Sequence, residues 1–421
     1  MLKSLFKRFK KTIVFKTIQK TIPYRALRKV YRACRKRARM IYRYEMLRKH
    51  YPKLYSKYAA RPVNEKKVVF IEVRESRISD SFSLMYKKVQ EEHKYEIHTH
   101  FLRSGFSKRK DYQHACEAMI TDIADAKYIF LNESSDVIAA LPMRKETIVT
   151  QLWHGCGAFK KFGMSTAELI FGDDRKTLEK YPYHGNYTYV TVSSPEVVWA
   201  YEEAMSLQDK KGVVVPTGIS RSDIFYDEEA KKAAHEKLLS VVPQAKGKKV
   251  ILYAPTFRGR VARAKTPNEL DIAAFGDALG KDYILLFKLH PFVKKRTAIP
   301  EGYEDFAFDL TDDMSIEELL FVADICISDY SSLVFEYSLF EKPMIFFAFD
   351  LDNYYDWRGF YYDYKEFVPG PIHTTTEEMI EYIQHVDERF DKKQVQEFRH
   401  KFMSACDGHA TERIMKMVFG E

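Results

Sequence analysis

Short apolar runs rich in β-branched and aromatic residues recur along most of this chain, and helical segments separate several of them. The first series is Lys67–Val73 (KVVFIEV), Tyr95–Phe101, Lys127–Leu131, Thr147–Trp153, Thr188–Val192 and Val213–Val215. A second follows: Lys249–Tyr253 (KVILY), Tyr283–Leu289 (YILLFKL), Asp324–Ile327 and Pro343–Phe347. Strands that alternate with helices and are apolar throughout predict parallel sheets covered on both faces. The charged stretch 226–248, containing Pro243, reads as a hinge region between the two series. At 421 residues the chain exceeds one ordinary core. The expectation is an α/β protein of two Rossmann-like doubly wound lobes with a cleft between them. Their boundaries are expected at 63–225 and 226–395, with a C-terminal helix at 396–421 packing back on the first lobe.

Residues 1–62 obey a different pattern. Up to Arg61 they hold 21 Lys or Arg against one acid, Glu45, so the net +9 of the whole chain conceals a basic arm on an acidic body. Leu2, Leu5, Phe6, Phe9, Ile13, Ile18 and Ile22 recur at near-helical spacing until Pro23, and a second, more basic helical stretch covers roughly 24–49. Such a segment suits the interface of an anionic membrane, apolar face down. Residues 1–50 are therefore expected to dock on one; a solvated helix or a nucleic-acid arm are the competing readings. No apolar stretch reaches the length of a bilayer span, and charges interrupt any secretory signal. The five cysteines are odd in number and widely spaced, with no C-x-x-C, which fits a reducing compartment better than a disulfide framework.

Open α/β sheets bind ligands beyond the carboxyl ends of their strands, so the turns after strands carry the candidate chemistry. In Trp153-His154-Gly155-Cys156-Gly157, followed by Lys160-Lys161, a histidine able to take a proton near neutral pH precedes small residues and cations suited to an anion. A surface histidine in a tight turn is the plainer alternative. In Ala254-Pro255-Thr256-Phe257-Arg258, Thr256 can hydrogen-bond phosphate oxygens and Arg258 can pair with them bidentately. Alternation along the strand puts Lys288 and His290 on one side of its end, ahead of Pro291. Ser328-Asp329-Tyr330-Ser331-Ser332 opens a helix over Leu333–Phe340 and forms a hydroxyl and N–H cradle, with Glu336 one turn inside. In Pro216-Thr217-Gly218 with Arg221 and Asp223, the arginine can reach the cleft and the aspartate can cap the next helix. Asp350-Leu351-Asp352 matches a metal-binding carboxylate pair only superficially, and no phosphate loop of the kinase type or hydrolase elbow occurs. Neither a metal nor a cofactor is expected.

In this order, with Arg358-Gly359-Phe360 and Pro369-Gly370-Pro371 closing the series, the motifs over roughly 150–371 resemble the CDP-glycerol:poly(glycerophosphate) glycerophosphotransferase family of teichoic acid synthesis. The resemblance implies a GT-B-type fold and attack by an acceptor hydroxyl on the β-phosphate of a CDP-polyol, with release of CMP. It implies a lipid-linked acceptor at the cytoplasmic side of the plasma membrane, with the protein peripheral. Carried over position by position, His154 becomes the general base, and His290 with Lys288 stabilises the transferring phosphate or departing CMP. Gly155, Lys160, Arg221, Pro255, Thr256, Arg258, Thr311, Ser328, Ser331, Ser332 and Glu336 become donor contacts, with Thr311 near the donor's nucleobase. The donor is expected to be CDP-glycerol, with CDP-ribitol or a nucleotide sugar as alternatives. The commoner pattern after Trp-His-Gly is Thr-Pro; Cys156-Gly157 stands there instead. Because that loop is expected to face the substrates, the change points at donor or acceptor class.

Overall fold

The computed structural model describes residues 22–420 apart from 170, 171, 173, 260–263, 353 and 355–358. The apolar periodicity expected over 1–22 thus falls almost wholly outside the described residues, as do Arg260 and Arg358. Residues Ile22–Tyr44 form one helix, so Pro23 stands in its first turn, where a missing N–H costs nothing. A π-helical turn, Glu45–His50, joins it to the helix Tyr51–Tyr58. Pro52 has no N–H for the carbonyl four residues back, and Tyr51 N donates instead to Met46 O, five residues back. The turn buries Met46 and Leu47, and the helix after it buries Tyr51 and Tyr55, in the core of the first lobe. Arg43 pairs with Asp136 at 3.1 Å, and Tyr42 Oη donates to Gln113 at 3.1 Å, seating the arm.

The first sheet contains β1 (Asn64–Glu72), β2 (Glu96–Phe101), β3 (Ala126–Leu131), β4 (Ile148–Gln151), β5 (Tyr189–Thr191) and β6 (Val214–Val215). Their order is β2-β1-β3-β4-β5-β6, and every pairing is parallel. The second sheet contains β7 (Lys249–Tyr253), β8 (Tyr283–Phe287), β9 (Ala307–Asp309), β10 (Ile325–Ser328), β11 (Met344–Phe347) and β12 (Ile372–His373). Its order, β12-β11-β10-β7-β8-β9, is again wholly parallel. Val68, Val69, Phe70 and Ile71 in β1 have no exposed surface, as expected for a strand covered on both faces. Strand order reverses between β1 and β3 in one sheet and between β7 and β10 in the other; at such switch points a crevice opens at the carboxyl ends.

The stretch 226–248 is largely the helix Glu228–Val241, capped by Asp227, whose carboxylate accepts from Glu229 N and Ala230 N. Several seams tie the lobes. The backbone of Phe159–Lys161 pairs antiparallel with Gly359–Tyr361, through Lys161 N to Gly359 O at 3.1 Å and Tyr361 N to Phe159 O at 3.0 Å. After the helix Lys392–Met403 the chain returns to the first lobe, with Ala405 N donating to Ser193 O at 3.0 Å. The helix Ala410–Phe419 follows, and the Phe419 ring packs 4.7 Å from Tyr95 and 4.5 Å from Tyr128. Asp223 caps this helix, taking Ala410 N at 3.1 Å and Thr411 N at 2.7 Å, rather than the helix next to it in sequence.

Candidate active site between the lobes

The loop after β4 turns sharply. Trp153 has φ +61°, a left-handed conformation uncommon for a bulky residue, and Gln151 supports it by accepting from Trp153 N at 3.1 Å. The His154 imidazole stacks on the Trp153 indole, with centroids 4.5 Å apart and planes at 29°. Its Nδ1 lies 2.9 Å from the backbone carbonyl of Asn132, just after β3. A carbonyl only accepts, so Nδ1 carries the proton and the neutral ring presents Nε2 as an acceptor. Burial in the surrounding protein lowers the pKa of His154 below its ordinary value, against the Glu133 carboxylate, which raises it. The residue as a whole is nevertheless exposed. A neutral imidazole with a free Nε2 lone pair at the mouth of a cleft is chemically a base.

Gly155 brings the second lobe to this loop: a Cβ there would stand 3.6 Å from Ser332 Oγ. Arg221, in the 3₁₀ segment Ser220–Tyr226 that leaves the first sheet, donates from Nη1 to His154 O at 2.7 Å and from Nη2 to Glu317. Its Nε lies 3.6 Å from Glu336 Oε1, deep in the second lobe. Burial alone would lower the Arg221 pKa, but Glu336 and Glu317 outweigh it and the guanidinium stays charged. Burial raises Glu336, against the opposing pull of Arg221. Beside this cluster a cavity of about 270 Å³ opens between the lobes, lined by Asp80, Ser83, Arg221, Ser315, Glu317 and Glu318.

On the second lobe the switch point lies between β7 and β10. Thr256 N donates to Asp329 Oδ1 at 2.8 Å, while Thr256 Oγ1 is buried with no hydrogen-bond partner among the described residues. Pro255 is buried beside it. Ser332 is the N-cap of the helix Leu333–Ser338, yet its hydroxyl makes no capping bond; Ser331 Oγ accepts from Leu333 N at 3.4 Å. His290 follows β8, one strand beyond β7, so it shares this sheet edge with Thr256 and Ser332. Its ring packs between Phe257 (4.8 Å) and Phe292 (4.6 Å).

Several sequence expectations change at this level. β8 ends at Phe287, so Lys288 and His290 are not alternate residues of a strand. Lys288 Nζ turns to the carbonyls of Thr311 (2.9 Å) and Met314, and Thr311 Oγ1 accepts from Leu289 N at 2.9 Å. Desolvation lowers the Lys288 pKa. The Ser328 hydroxyl is buried and donates to Ala254 O at 2.8 Å, joining two loops instead of facing the crevice. Arg258 is held by carboxylates: Asp350 at 2.6 and 2.8 Å, and Asp329 at 2.8 Å. It thus locks the loops after β7, β10 and β11 together, and it occupies Asp350, the first acid of the supposed metal pair. Among the described residues no group of His, Cys, Asp and Glu forms a metal site. Lys160 sits in the interlobe pairing with Phe360.

Cys156 and Gly157 are buried, turned away from the open side of the loop. Cys156 is buried and its thiol meets that of buried Cys406. Gly157 has φ +64°, and a Cβ there would fall 2.2 Å from the Phe335 ring. The departure from Thr-Pro is therefore a packing change behind the histidine. What the sequence reading missed is the floor of the site, Glu72 and Asn132. The one available signal was an acid, Glu72, ending an otherwise apolar strand.

The family model described as CDP-Glycerol:Poly(glycerophosphate) glycerophosphotransferase matches residues 53–420. The chain belongs to this family. Among its relatives in Bacillus spizizenii, a teichoic acid poly(ribitol-phosphate) polymerase is 38% identical over 85% of this chain and 56% of its own length. A teichoic acid ribitol-phosphate primase is 36% identical over 85% of this chain and 92% of its own. A teichoic acid poly(glycerol phosphate) polymerase is 30% identical over 71% and 76%. This family member thus spans little more than half of the ribitol polymerase but nearly all of the primase. In fold it matches the wall teichoic acid polymerase TagF, with a TM-score of 0.70 and 22% identity over 92% of this chain and 97% of that one. The two lobes are accordingly of the GT-B type.

Proposed function

We propose that the protein transfers a polyol phosphate, ribitol phosphate in the first place, from its CDP ester to a lipid-linked teichoic acid acceptor, releasing CMP. The observation that carries this reading is the contact of His154 Nδ1 with Asn132 O, which commits Nδ1–H and leaves Nε2 as the acceptor nitrogen, on a loop whose Gly155 lies against Ser332 and whose His154 carbonyl is held by Arg221. His154 Nε2 removes the proton of an acceptor hydroxyl, whose oxygen attacks the β-phosphorus. The bond from that phosphorus to the bridging oxygen breaks, and CMP departs with the electron pair. Thr256, Ser331 and Ser332 border the crevice of the second lobe and suit the diphosphate; His290 stabilises the leaving phosphate from the same edge.

The sequence alone put glycerol first. The higher identity to the relatives named for ribitol phosphate supports the reverse order. CMP release should be assayed with CDP-ribitol and CDP-glycerol on a polyol-phosphate-primed lipid acceptor. A kcat/KM at least tenfold higher for CDP-ribitol is expected, and a preference for CDP-glycerol overturns the donor assignment. No CMP from either donor overturns the reading altogether. His154→Ala should lower turnover about 10²- to 10⁴-fold, the usual worth of a general base.

The arm is proposed to dock this body on the anionic cytoplasmic face of the membrane. No helix of the described residues is long and apolar enough to cross one. Support comes from the helix Ile22–Tyr44, where Arg28, Lys29, Arg32, Arg35, Lys36, Arg37 and Arg39 are exposed, as are Val30, Tyr31 and Ile41. Each such cation near an anionic surface adds about 1 kcal/mol, so binding to phosphatidylglycerol vesicles should fall steeply with salt and be absent on phosphatidylcholine.

A further inference from the structure

The switch point of the first sheet, between the ends of β1 and β3, holds a buried carboxylate that the reaction above leaves unused. Glu72, the last residue of β1, is 1% exposed. Its Oε1 accepts from Ser79 N at 2.6 Å, and its Oε2 accepts from Asn132 Nδ2 at 2.7 Å. Asn132 Nδ2 also donates to Ser79 Oγ at 2.9 Å. Both protons of this amide are therefore spent, and its direction is fixed with nitrogen toward the carboxylate. The backbone carbonyl of the same residue is the group that holds His154 Nδ1.

We propose that Glu72 is a positioning residue for His154, acting through Asn132 to fix the plane of the imidazole and the proton on Nδ1. The inference rests on the phosphotransfer reading above, in which Nε2 must be the free nitrogen. Two features favour this over mere packing. Asn132 Oδ1 is buried without a partner among the described residues, an unfavourable arrangement that an apolar side chain would avoid. And Glu72 itself is costly: burial raises its pKa, against the hydrogen bonds from Ser79 and Asn132. A buried carboxylate and an orphaned amide oxygen together give the loop after β3 a single direction, and a base gains from orientation as much as from basicity. The carboxylate does not touch the imidazole, which separates it from a partner that shares the proton.

The test exploits hydrogen-bond polarity. In Glu72→Gln the new amide can still accept from Ser79 N, but its NH₂ then meets the NH₂ of Asn132, so the Asn132 amide must turn over and give up its bond to Ser79 Oγ, which releases the residue 132 loop from the single direction the carboxylate imposes. We expect kcat to fall about 10- to 100-fold with the KM for the CDP-polyol within threefold, the usual size for a residue that orients a ligand or base from behind. Asn132→Asp alone should fall at least as far, because two carboxylates then face each other. Combined, Glu72→Gln/Asn132→Asp places an amide donor opposite a carboxylate, restoring a complementary pair with its polarity reversed. It should recover kcat to within about fivefold of wild type, a coupling that independent structural damage would not give. A second readout needs no turnover: ¹⁵N spectra of histidine-labelled protein, with His154 assigned by substitution, should show protonated Nδ1 and bare Nε2 in wild type and a mixture in Glu72→Gln. A single-variant kcat within threefold of wild type, a double variant no better than the singles, or an unchanged tautomer overturns the proposal. If wild type released no CMP from any CDP-polyol while the tautomer still followed residue 72, the failure would belong to the substrate reading alone.

Discussion

Gly157→Ala tests whether the loop carrying His154 is held in place by the second lobe. Two costs add at this position. The φ of +64° is a left-handed conformation in which a Cβ costs about 1–2 kcal/mol. The new methyl would also lie 2.2–2.3 Å from three atoms of the Phe335 ring, far inside contact distance, and forcing a group into a packed core costs about a further 1–3 kcal/mol. Phe335 cannot retreat, since it has no exposed surface and stacks on Phe398 at 5.3 Å. The sum, about 2–5 kcal/mol, is a large part of the stability of an ordinary domain. Gly247 supplies the control: its φ is +77°, but nothing lies within 4 Å of a Cβ there, so Gly247→Ala should show the backbone cost alone. Urea-unfolding midpoints of the two variants measure the difference. In a Phe335→Leu background the excess cost of Gly157→Ala should shrink, since the clashing ring is gone. CMP release should fall with Gly157→Ala, because His154 lies three residues away, and stay unchanged with Gly247→Ala. Equal destabilisation by both variants would refute the interlobe contact as the cause.

Buried His184 accepts from Tyr187 Oη through Nδ1 at 3.1 Å, and burial, with a smaller push from His154, drives its pKa down to about 3. The unfolded chain takes up this proton as pH falls below about 6.5 while the native state does not, so stability is lost in acid. At pH 5 the loss is about 2 kcal/mol relative to pH 7.5, and His184→Asn should remove that slope in paired urea titrations. Asp223→Ala leaves two N–H groups uncapped at the start of the helix Ala410–Phe419; a loss of about 1–2 kcal/mol and faster amide exchange in that helix are expected, and unchanged exchange would contradict the capping role. Arg258→Lys keeps the charge but loses the fork that spans Asp329 and Asp350, so donor KM should rise while kcat changes less, as measured by steady-state CMP release.

Most of the fold was legible because strands covered on both faces read as unbroken apolar runs, as in Val68–Ile71 and Tyr283–Phe287. β9 and β12 escaped notice because they are edge strands of three and two residues, too short for any periodicity. The rule that chemistry follows strand ends brought out His154, Thr256 and Ser332, because that rule depends only on where apolar runs stop. It did not reveal what holds Arg258 and Lys288, whose charge is visible in sequence but whose partners are not: Asp329 and Asp350 are 71 and 92 residues away, and two backbone carbonyls carry no sequence signature at all. Cys156-Gly157 was misjudged for a related reason. The direction of a loop side chain depends on dihedrals such as those of Trp153 and Gly157, and these turn the pair inward.

The same distinction bears on how the proposed base and the proposed donor crevice, on different lobes, make one site. The loops after β1, β3 and β4 decide the orientation of His154, and every bond in that set lies within the first sheet. The loops after β7 and β10 shape the crevice with bonds internal to the second sheet. Arg221 belongs to both, with Nη1 on the carbonyl of His154 and Nη2 on Glu317. Each lobe thus carries its half of the proposed chemistry oriented by its own bonds, and the Arg221 guanidinium, together with the Phe159–Lys161 pairing to Gly359–Tyr361, registers the halves. A buried cation suits this task better than an apolar contact, because leaving it without Glu317 and Glu336 would strand a charge away from water at a cost of several kcal/mol. A lobe arrangement that misplaced the base relative to the donor would have to bear that cost.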